Sequence, residues 1–261
     1  MDLRLYQIDA FTDRLFGGNP AAVCPLTEWL PDGTMQAIAA ENNLSETAFY
    51  VPQGEDFGLR WFTPKTEVDL CGHATLATAH LILNRLEPGR DSAAFHTRKA
   101  GVLTVRRQGD LLAMDFPARP AAPVSPPPGL AAALGATPRK VLAARDHLAV
   151  FDTAAEVAAL DPDMGALGKL ACWAVIASAP GADGVDFVSR FFAPAQGVPE
   201  DPVTGSSHCT LVPYWAARLG KTRLEACQLS KRGGALTCTL AGDRVILASR
   251  AVFYLDGRIS V

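Results

Sequence analysis

Several common signatures are missing from this chain of 261 residues. Its six cysteines stand apart, without a CxxC pair or paired spacing. That excludes a disulfide framework and reads as reduced thiols, mostly small buried hydrophobes. No His/Cys/Asp grouping has zinc spacing, and no GxGxxG or P-loop occurs, so no metal, nucleotide or other cofactor is expected. No run approaches the ~20 apolar residues of a membrane span. The opening Met1-Asp-Leu-Arg-Leu-Tyr6 enters strand-like alternation at once, with no export signal, which points to the cytoplasm. Lys and Arg number 24 against 27 Asp and Glu, a net charge of −3. Without a basic field, neither nucleic acid nor membrane is an expected partner.

What is present is a repeated unit. Arg60-Trp-Phe-Thr-Pro64 leads to Asp69-Leu-Cys-Gly-His73, and Arg190-Phe-Phe-Ala-Pro194 leads to Asp201-Pro-Val-Thr-Gly-Ser206. Each reads as a strand, a loop and a glycine opening a helix. Gly72 and Gly205 stand 133 positions apart, as do Gly101 and Gly234, Leu103 and Leu236, Thr104 and Thr237, Gly109 and Gly242, and Asp110 and Asp243. Upstream of the glycines the offset falls to 130, from Phe62 to Phe192 and Pro64 to Pro194, so the second loop is three residues longer. The period far exceeds the ~20–50 residues of solenoid repeats, and the chain is a duplicated domain.

With 49% hydrophobic residues there is material for two cores. The Pro-rich stretch Pro117 to Pro128 cannot continue a helix or central strand and falls near the midpoint. It divides the chain into an N-terminal half (1–118), a linker (119–128) and a C-terminal half (129–261), with terminal strands free to cross to the other half. Alternation and turn signals predict strands over 3–11, 21–25, 47–51, 57–62 and around 95–116, with Gly109-Asp110 as a hairpin turn. Asp32 or Thr34 is the expected N-cap of a helix through about Asn42, burying Met35, Ile38 and Ala39. Residues 73–86 read as a helix apolar on most sides, hence buried. The second half echoes this with strands at 147–151, 172–178 and 185–192, a helix over about 206–219, and three closing strands. Many strands around few helices predict an α+β fold, each half a curved, mostly antiparallel sheet wrapped round a central helix.

A glycine that opens a helix leaves the first N–H groups free at the positive end of the dipole, a pocket for a small carboxylate. Each glycine alone would be only a tight turn into a buried helix; two at matched positions favour a site built from Gly72 and Gly205. His73 follows the first glycine, close in sequence to Asp69 and Cys71, and is a candidate for proton transfer. His208 lies deeper in its helix and is the weaker candidate. Asp201 is a turn-former before Pro202, or a partner for a substrate amine or hydroxyl. Glu46 stands where a helix ends and an apolar strand begins, and a carboxyl drawn into such a wall becomes a useful acid/base.

Ser45-Glu-Thr-Ala-Phe49, Trp61-Phe-Thr-Pro64, Leu70-Cys-Gly-His-Ala-Thr75 and Glu200-Asp-Pro-Val-Thr-Gly-Ser206 together resemble the phenazine-biosynthesis (PhzF-like) isomerase family. Gln7-Ile-Asp-Ala-Phe-Thr12 and Phe16-Gly-Gly-Asn-Pro-Ala-Ala-Val23 extend the resemblance to the first strand. It implies the two-domain diaminopimelate-epimerase fold, an active site in the cleft between the halves, a homodimer, and cofactor-independent proton movement within a small carboxylate-bearing substrate. The family prototype isomerises trans-2,3-dihydro-3-hydroxyanthranilate. Carried onto this chain, the resemblance makes Glu46 the base, counts His73 and Asp201 with it as catalytic residues, and assigns Gly72, Gly205 and Ser206 to substrate binding. Epimerases of this fold use a cysteine before each helix-opening glycine; here Cys71 fills the first position and Thr204 the second. Both count as substrate-side positions, and a symmetric two-thiol mechanism is disfavoured. The rival readings are a one-thiol epimerase, racemase or dehydratase acting through Cys71, and a non-catalytic small-acid binding protein.

Overall fold

Alternating side chains and glycine turns shape most of the chain, which the computed structural model describes for residues 1–261. In chain order the first elements are β1 (Asp2–Ala10), β2 (Asn19–Pro25), α1 (Asp32–Asn42), β3 (Glu46–Gln53), β4 (Asp56–Phe62), β5 (Glu67–Val68), α2 (Gly72–Leu81), β6 (Ser92–His96), β7 (Val102–Gln108) and β8 (Leu111–Pro117). Then come β9 (Ala122–Pro123), α3 (Leu130–Leu134), β10 (Lys140–Ala143), β11 (His147–Val150), α4 (Ala154–Ala158), α5 (Met164–Leu167), β12 (Val175–Pro180), β13 (Phe187–Ala193), β14 (Val198–Glu200), α6 (Gly205–Leu219), β15 (Arg223–Gln228), β16 (Gly234–Ala241), β17 (Arg244–Ser249) and β18 (Ala251–Ser260). One unit comprises Met1–Asp115 with Ala248–Val261, the other Phe116–Leu247.

In the first unit β1 pairs antiparallel with β2, β2 runs parallel to β3, β3 antiparallel to β4, β4 parallel to β6, and β6 antiparallel to β7. The second unit repeats that order of orientations through β10, β11, β12, β13, β15 and β16. The duplication read from the 133-residue offset is therefore also one of strand pairing. β18 returns to the first unit and lies antiparallel along β1, from Asp2↔Ser260 to Ala10↔Ala251. The fold class is α+β.

Helix α2 is the centre of the first unit. Eight of its ten residues are buried, from His73 to Leu81, and it packs on β1, β2, β3, β7 and β18. A helix apolar on all sides has no solvent face to offer. It passes into a π-helical turn at Ile82–Leu86. Helix α1 buries Met35, Ile38 and Ala39 as the pattern predicts, but its N-cap is Pro31 and makes no side-chain cap bond. Neither Asp32 nor Thr34 caps it; the Asp32 carboxylate instead lies 2.9 Å from the Arg60 guanidinium.

In the second unit α6 carries Pro213 in its interior. Proline cannot supply the N–H that would reach the Cys209 carbonyl. That carbonyl instead accepts from the Arg119 backbone N–H at 2.8 Å. Ala122–Pro123 pairs with Leu142–Ala143, and Val124 N–H donates to the Val141 carbonyl. Residues 119–128, expected as a linker, thus form part of this unit. Trp215 is fully buried, stacks on Phe187 with ring centroids 5.8 Å apart, and donates to Ser178 Oγ at 2.9 Å. All six cysteines are free thiols. No helix is long and apolar enough to cross a membrane.

Candidate active site

The turn from β1 to β2 fixes the first element of the site. Asp9 is buried, and its carboxylate accepts the Phe16 N–H at 3.0 Å. Gly18 has φ +60°, and a Cβ there would lie 2.0 Å from the Ala10 carbonyl oxygen. No side chain fits that approach, and left-handed backbone favours glycine in any case. The turn delivers Asn19, fully buried, with Nδ2 at 3.2 Å from His73 Nδ1.

The parallel pairing of β2 and β3 sets Glu46 opposite Ala21 as the first residue of β3. Cys71 is the N-cap of α2 in extended conformation, and His73 is the second helical residue. These placements bring Glu46 Oε2 to 3.2 Å from His73 Nε2, and Cys71 Sγ to 3.4 Å from His73 Nδ1. The Asn19 amide N–H2 can only donate, so Nδ1 is the acceptor and Nε2 carries the proton, which it donates to the Glu46 carboxylate; this tautomer is assigned from the network. Burial pushes the His73 pKa down to about 3 from an ordinary 6.5, so the imidazole is neutral at neutral pH. The Glu46 side chain is 17% exposed against 7% for His73, so the carboxyl is the more open member of the pair. The donor atoms of Glu46, Cys71 and His73 all lie within 4.8 Å of one another.

The second unit builds a helix start of its own. Thr204 is the extended N-cap of α6, and Gly205 opens the helix. Gln228 at the end of β15 braces the turn three ways: Oε1 accepts from Thr204 N at 3.0 Å, and Nε2 donates to the Asp201 carbonyl at 2.8 Å and to Thr204 Oγ1 at 3.3 Å. Thr204 Oγ1 donates to the Asp201 carboxylate. Ser206 Oγ accepts from Arg145 Nη2 at 3.2 Å, while Arg145 is held by Asp146 through two further bonds.

The turns leading into α2 and α6 share their scaffolding. Arg60 clasps Glu67 through Nε (2.7 Å) and Nη2 (2.8 Å); Arg190 clasps Glu200 through Nε (2.7 Å) and Nη2 (2.9 Å). Each guanidinium also lies over a phenylalanine, Phe62 and Phe192, at 5.0 and 4.9 Å from the ring centroid. Thr75 Oγ1 donates to the Cys71 carbonyl at 2.6 Å, and His208, 133 positions on, makes the equivalent bond from Nδ1 to the Thr204 carbonyl at 2.8 Å. Both bonds tie an N-cap carbonyl to the first turn.

Of the expected residues, the structure gathers Glu46, Cys71 and His73 in the first unit, and Asp201, Thr204, Gly205 and Ser206 around one turn in the second. Asp69 does not join His73: its side chain is 63% exposed and pairs with Lys99 at 2.9 Å. His208 is occupied by the Thr204 carbonyl, and burial holds its pKa down at about 4. Asn19, Gln228 and Arg145 are not singled out by the sequence. Asn19 has a signal, since it follows Gly17-Gly18 in a motif that carries the resemblance and reads locally as a turn; Gln228 and Arg145 sit in unremarkable local sequence.

A family model described as phenazine biosynthesis-like protein matches residues 8–257. An uncharacterized isomerase of Pseudomonas aeruginosa is 52% identical over 259 residues, covering 99% of each chain. A crystal structure from Enterococcus faecalis, described as a phenazine biosynthesis protein of the PhzF family, is similar with a TM-score of 0.97 and 44% identity over 100% of both chains. Hydroxyproline epimerase from Agrobacterium vitis shares the fold with a TM-score of 0.59 at 11% identity, over 99% of this chain and 92% of its own.

Proposed function

This chain belongs to the phenazine biosynthesis-like family, and from that premise we propose that it is a cofactor-independent isomerase in which Glu46 moves a proton between carbons of a small carboxylate-bearing substrate. Its full-length relatives named as isomerases, and its diaminopimelate-epimerase-like α+β fold, are the setting for that reading.

One observation supports it above the others: the contact of Glu46 Oε2 with Nε2 of a buried, neutral His73. The imidazole N–H holds the Glu46 carboxylate in place for proton transfer. The C–H bond breaks as its proton passes to Glu46, the electron pair delocalises into the substrate's unsaturated system, and the Glu46 carboxyl returns the proton to a different carbon. The base ends the cycle as it began, so no external acid is consumed. A positioned general base contributes about 10²–10⁴ in rate. The N–H groups opening α2 at Gly72 suit a substrate carboxylate in the first unit. In the second unit, Asp201 is assigned to the catalytic set with Glu46 and His73, and Thr204, Gly205 and Ser206, on the same braced turn, to substrate binding; the proposal extends to a homodimer.

A second reading uses Cys71 as a thiolate base, and the 3.4 Å approach of Cys71 Sγ to His73 Nδ1 favours it. Burial opposes an imidazolium at His73, however, so activation of the thiol would rest on the start of α2 alone. The two readings separate on incubating the protein with small unsaturated carboxylic acids in deuterium oxide and following carbon-bound deuterium by mass spectrometry. Uptake abolished in Glu46→Gln and retained in Cys71→Ala is expected. Uptake abolished in Cys71→Ala and retained in Glu46→Gln would sink the glutamate mechanism. Binding with no exchange in the wild type would leave a non-catalytic acid-binding protein.

A further inference from the structure

We propose that Cys71 Sγ, His73 Nε2 and Glu46 Oε2 form a thiophilic divalent-metal site of the Zn²⁺ class, with the fourth position open, and that metal held there blocks the base. The site shares Glu46 and His73 with the reaction proposed above; metal binding does not depend on that reaction, whereas the block of the base rests on it. Spacing along the chain hides the site, because Glu46 arrives from the start of a strand and the other two from the start of a helix.

The geometry supports it in three ways. First, a sulfur, a nitrogen and a carboxylate oxygen converge within 4.8 Å of one another, with Nε2 at 3.2 Å from the oxygen and 4.0 Å from the sulfur. Tetrahedral zinc with bonds of about 2.0–2.3 Å holds its ligand atoms at similar separations. Second, one thiolate, one imidazole and one carboxylate is a donor set that zinc accepts, and three protein ligands leave a coordination position for water. Third, an outer partner is in place. Metal at Nε2 puts the imidazole proton on Nδ1, and Asn19 lies 3.2 Å from that atom. Rotating its amide by half a turn presents Oδ1 as acceptor, the support that metal-bound histidines usually have.

The binding step balances simply. The Cys71 S–H bond breaks and its proton goes to solvent, the His73 proton leaves Nε2 and a proton is taken up at Nδ1, and Sγ, Nε2 and Oε2 displace three of the metal's water ligands. No oxidation occurs.

The probe is Co²⁺ added to the chelator-treated full-length protein, read by the near-ultraviolet thiolate-to-cobalt band and reversed by Zn²⁺. One equivalent is expected to give the band. Cys71→Ala and the nearly isosteric Cys71→Ser should both abolish it, whereas Cys172→Ala and Cys227→Ala should retain it. Glu46→Gln should weaken Co²⁺ binding at least tenfold. Asn19→Ala should weaken it about 10–100-fold, and Asn19→Asp should tighten it, since a carboxylate is the better acceptor for Nδ1–H. No band at saturating Co²⁺, or a band that survives both Cys71 substitutions, overturns the proposal. A band in a protein whose exchange is untouched by Glu46→Gln defeats the isomerase mechanism alone; exchange lost in Glu46→Gln with no band defeats the metal site alone.

Discussion

The internal repeat supplies a substitution that tests the electrostatics at the start of α6. His208 and Thr75 occupy equivalent positions and tie equivalent carbonyls, one with an imidazole N–H and the other with a hydroxyl. His208→Thr therefore keeps the hydrogen bond and removes the titrating ring. Burial lowers the pKa of His208 in the folded protein to about 4, against 6.5 for the group when exposed. Between those values the unfolded chain binds a proton that the folded chain refuses, so stability falls as pH falls through 6.5 and the loss is complete below 4. For those two pKa values the loss from pH 7.5 to pH 5 is about 2 kcal/mol, approaching about 3 kcal/mol below pH 4. The ring is fully buried against Phe187, so the smaller threonine leaves a cavity and lowers stability at every pH by about 1–3 kcal/mol. Urea unfolding at pH 7.5 and pH 5.0 distinguishes the two effects. The variant should be less stable at pH 7.5, yet its loss on acidification should be smaller than the wild type's by about 2 kcal/mol. Equal losses in the two proteins would refute the claim that this imidazole is held neutral by burial.

Three further outcomes follow from the packing and the site. Gly18→Ala pushes a methyl into the Ala10 carbonyl and should cost at least about 3 kcal/mol, with a matching drop in melting temperature. Arg190→Met leaves the Glu200 carboxylate and the Val157 and Leu160 carbonyls without their donor and should cost about 3–5 kcal/mol in urea unfolding, whereas Arg139→Met, which removes an exposed pair with Asp152, should cost less than about 1 kcal/mol. Glu46→Gln should lower deuterium exchange about 10²–10⁴-fold, and His73→Asn, which removes a hydrogen bond to a charged group worth about 1.5–3 kcal/mol, about 10–150-fold.

The duplication is legible in the sequence because both copies preserve the residues that form the turn. Arg60 and Arg190, Glu67 and Glu200, and Gly72 and Gly205 follow in the same order, with three more residues between Arg and Glu in the second copy, and each makes the same contacts in its own unit. A repeated contact leaves a repeated letter, and so an offset. The grouping of Glu46 with His73 is expected only through resemblance, since no local pattern links a strand start to a helix start 27 residues later. Asn19 is easy to pass over because the glycines before it explain a turn without saying what the turn aims. Asp69 misleads for the opposite reason: nearness along the chain is not nearness in space when Lys99 draws the carboxylate outward. The role of residues 119–128 is hidden because a run of prolines argues against a helix or central strand but shows neither the short edge pairing of Ala122–Pro123 nor that a proline elsewhere, Pro213, leaves a carbonyl for Arg119 to fill.

The antiparallel return of β18 along β1 has a consequence for synthesis. The first unit begins at Met1 but takes its last strand from residues after 248, with the whole of 116–247 made in between. At about 5–20 residues per second, those 132 residues occupy a ribosome for about 7–26 s. During that interval the edge of β1 that β18 will cover has no strand beside it, while the second unit can emerge and fold in one stretch. The half that begins first is the half that finishes last, so a chain that ends before β18 has every strand of its second unit and an open strand edge on its first.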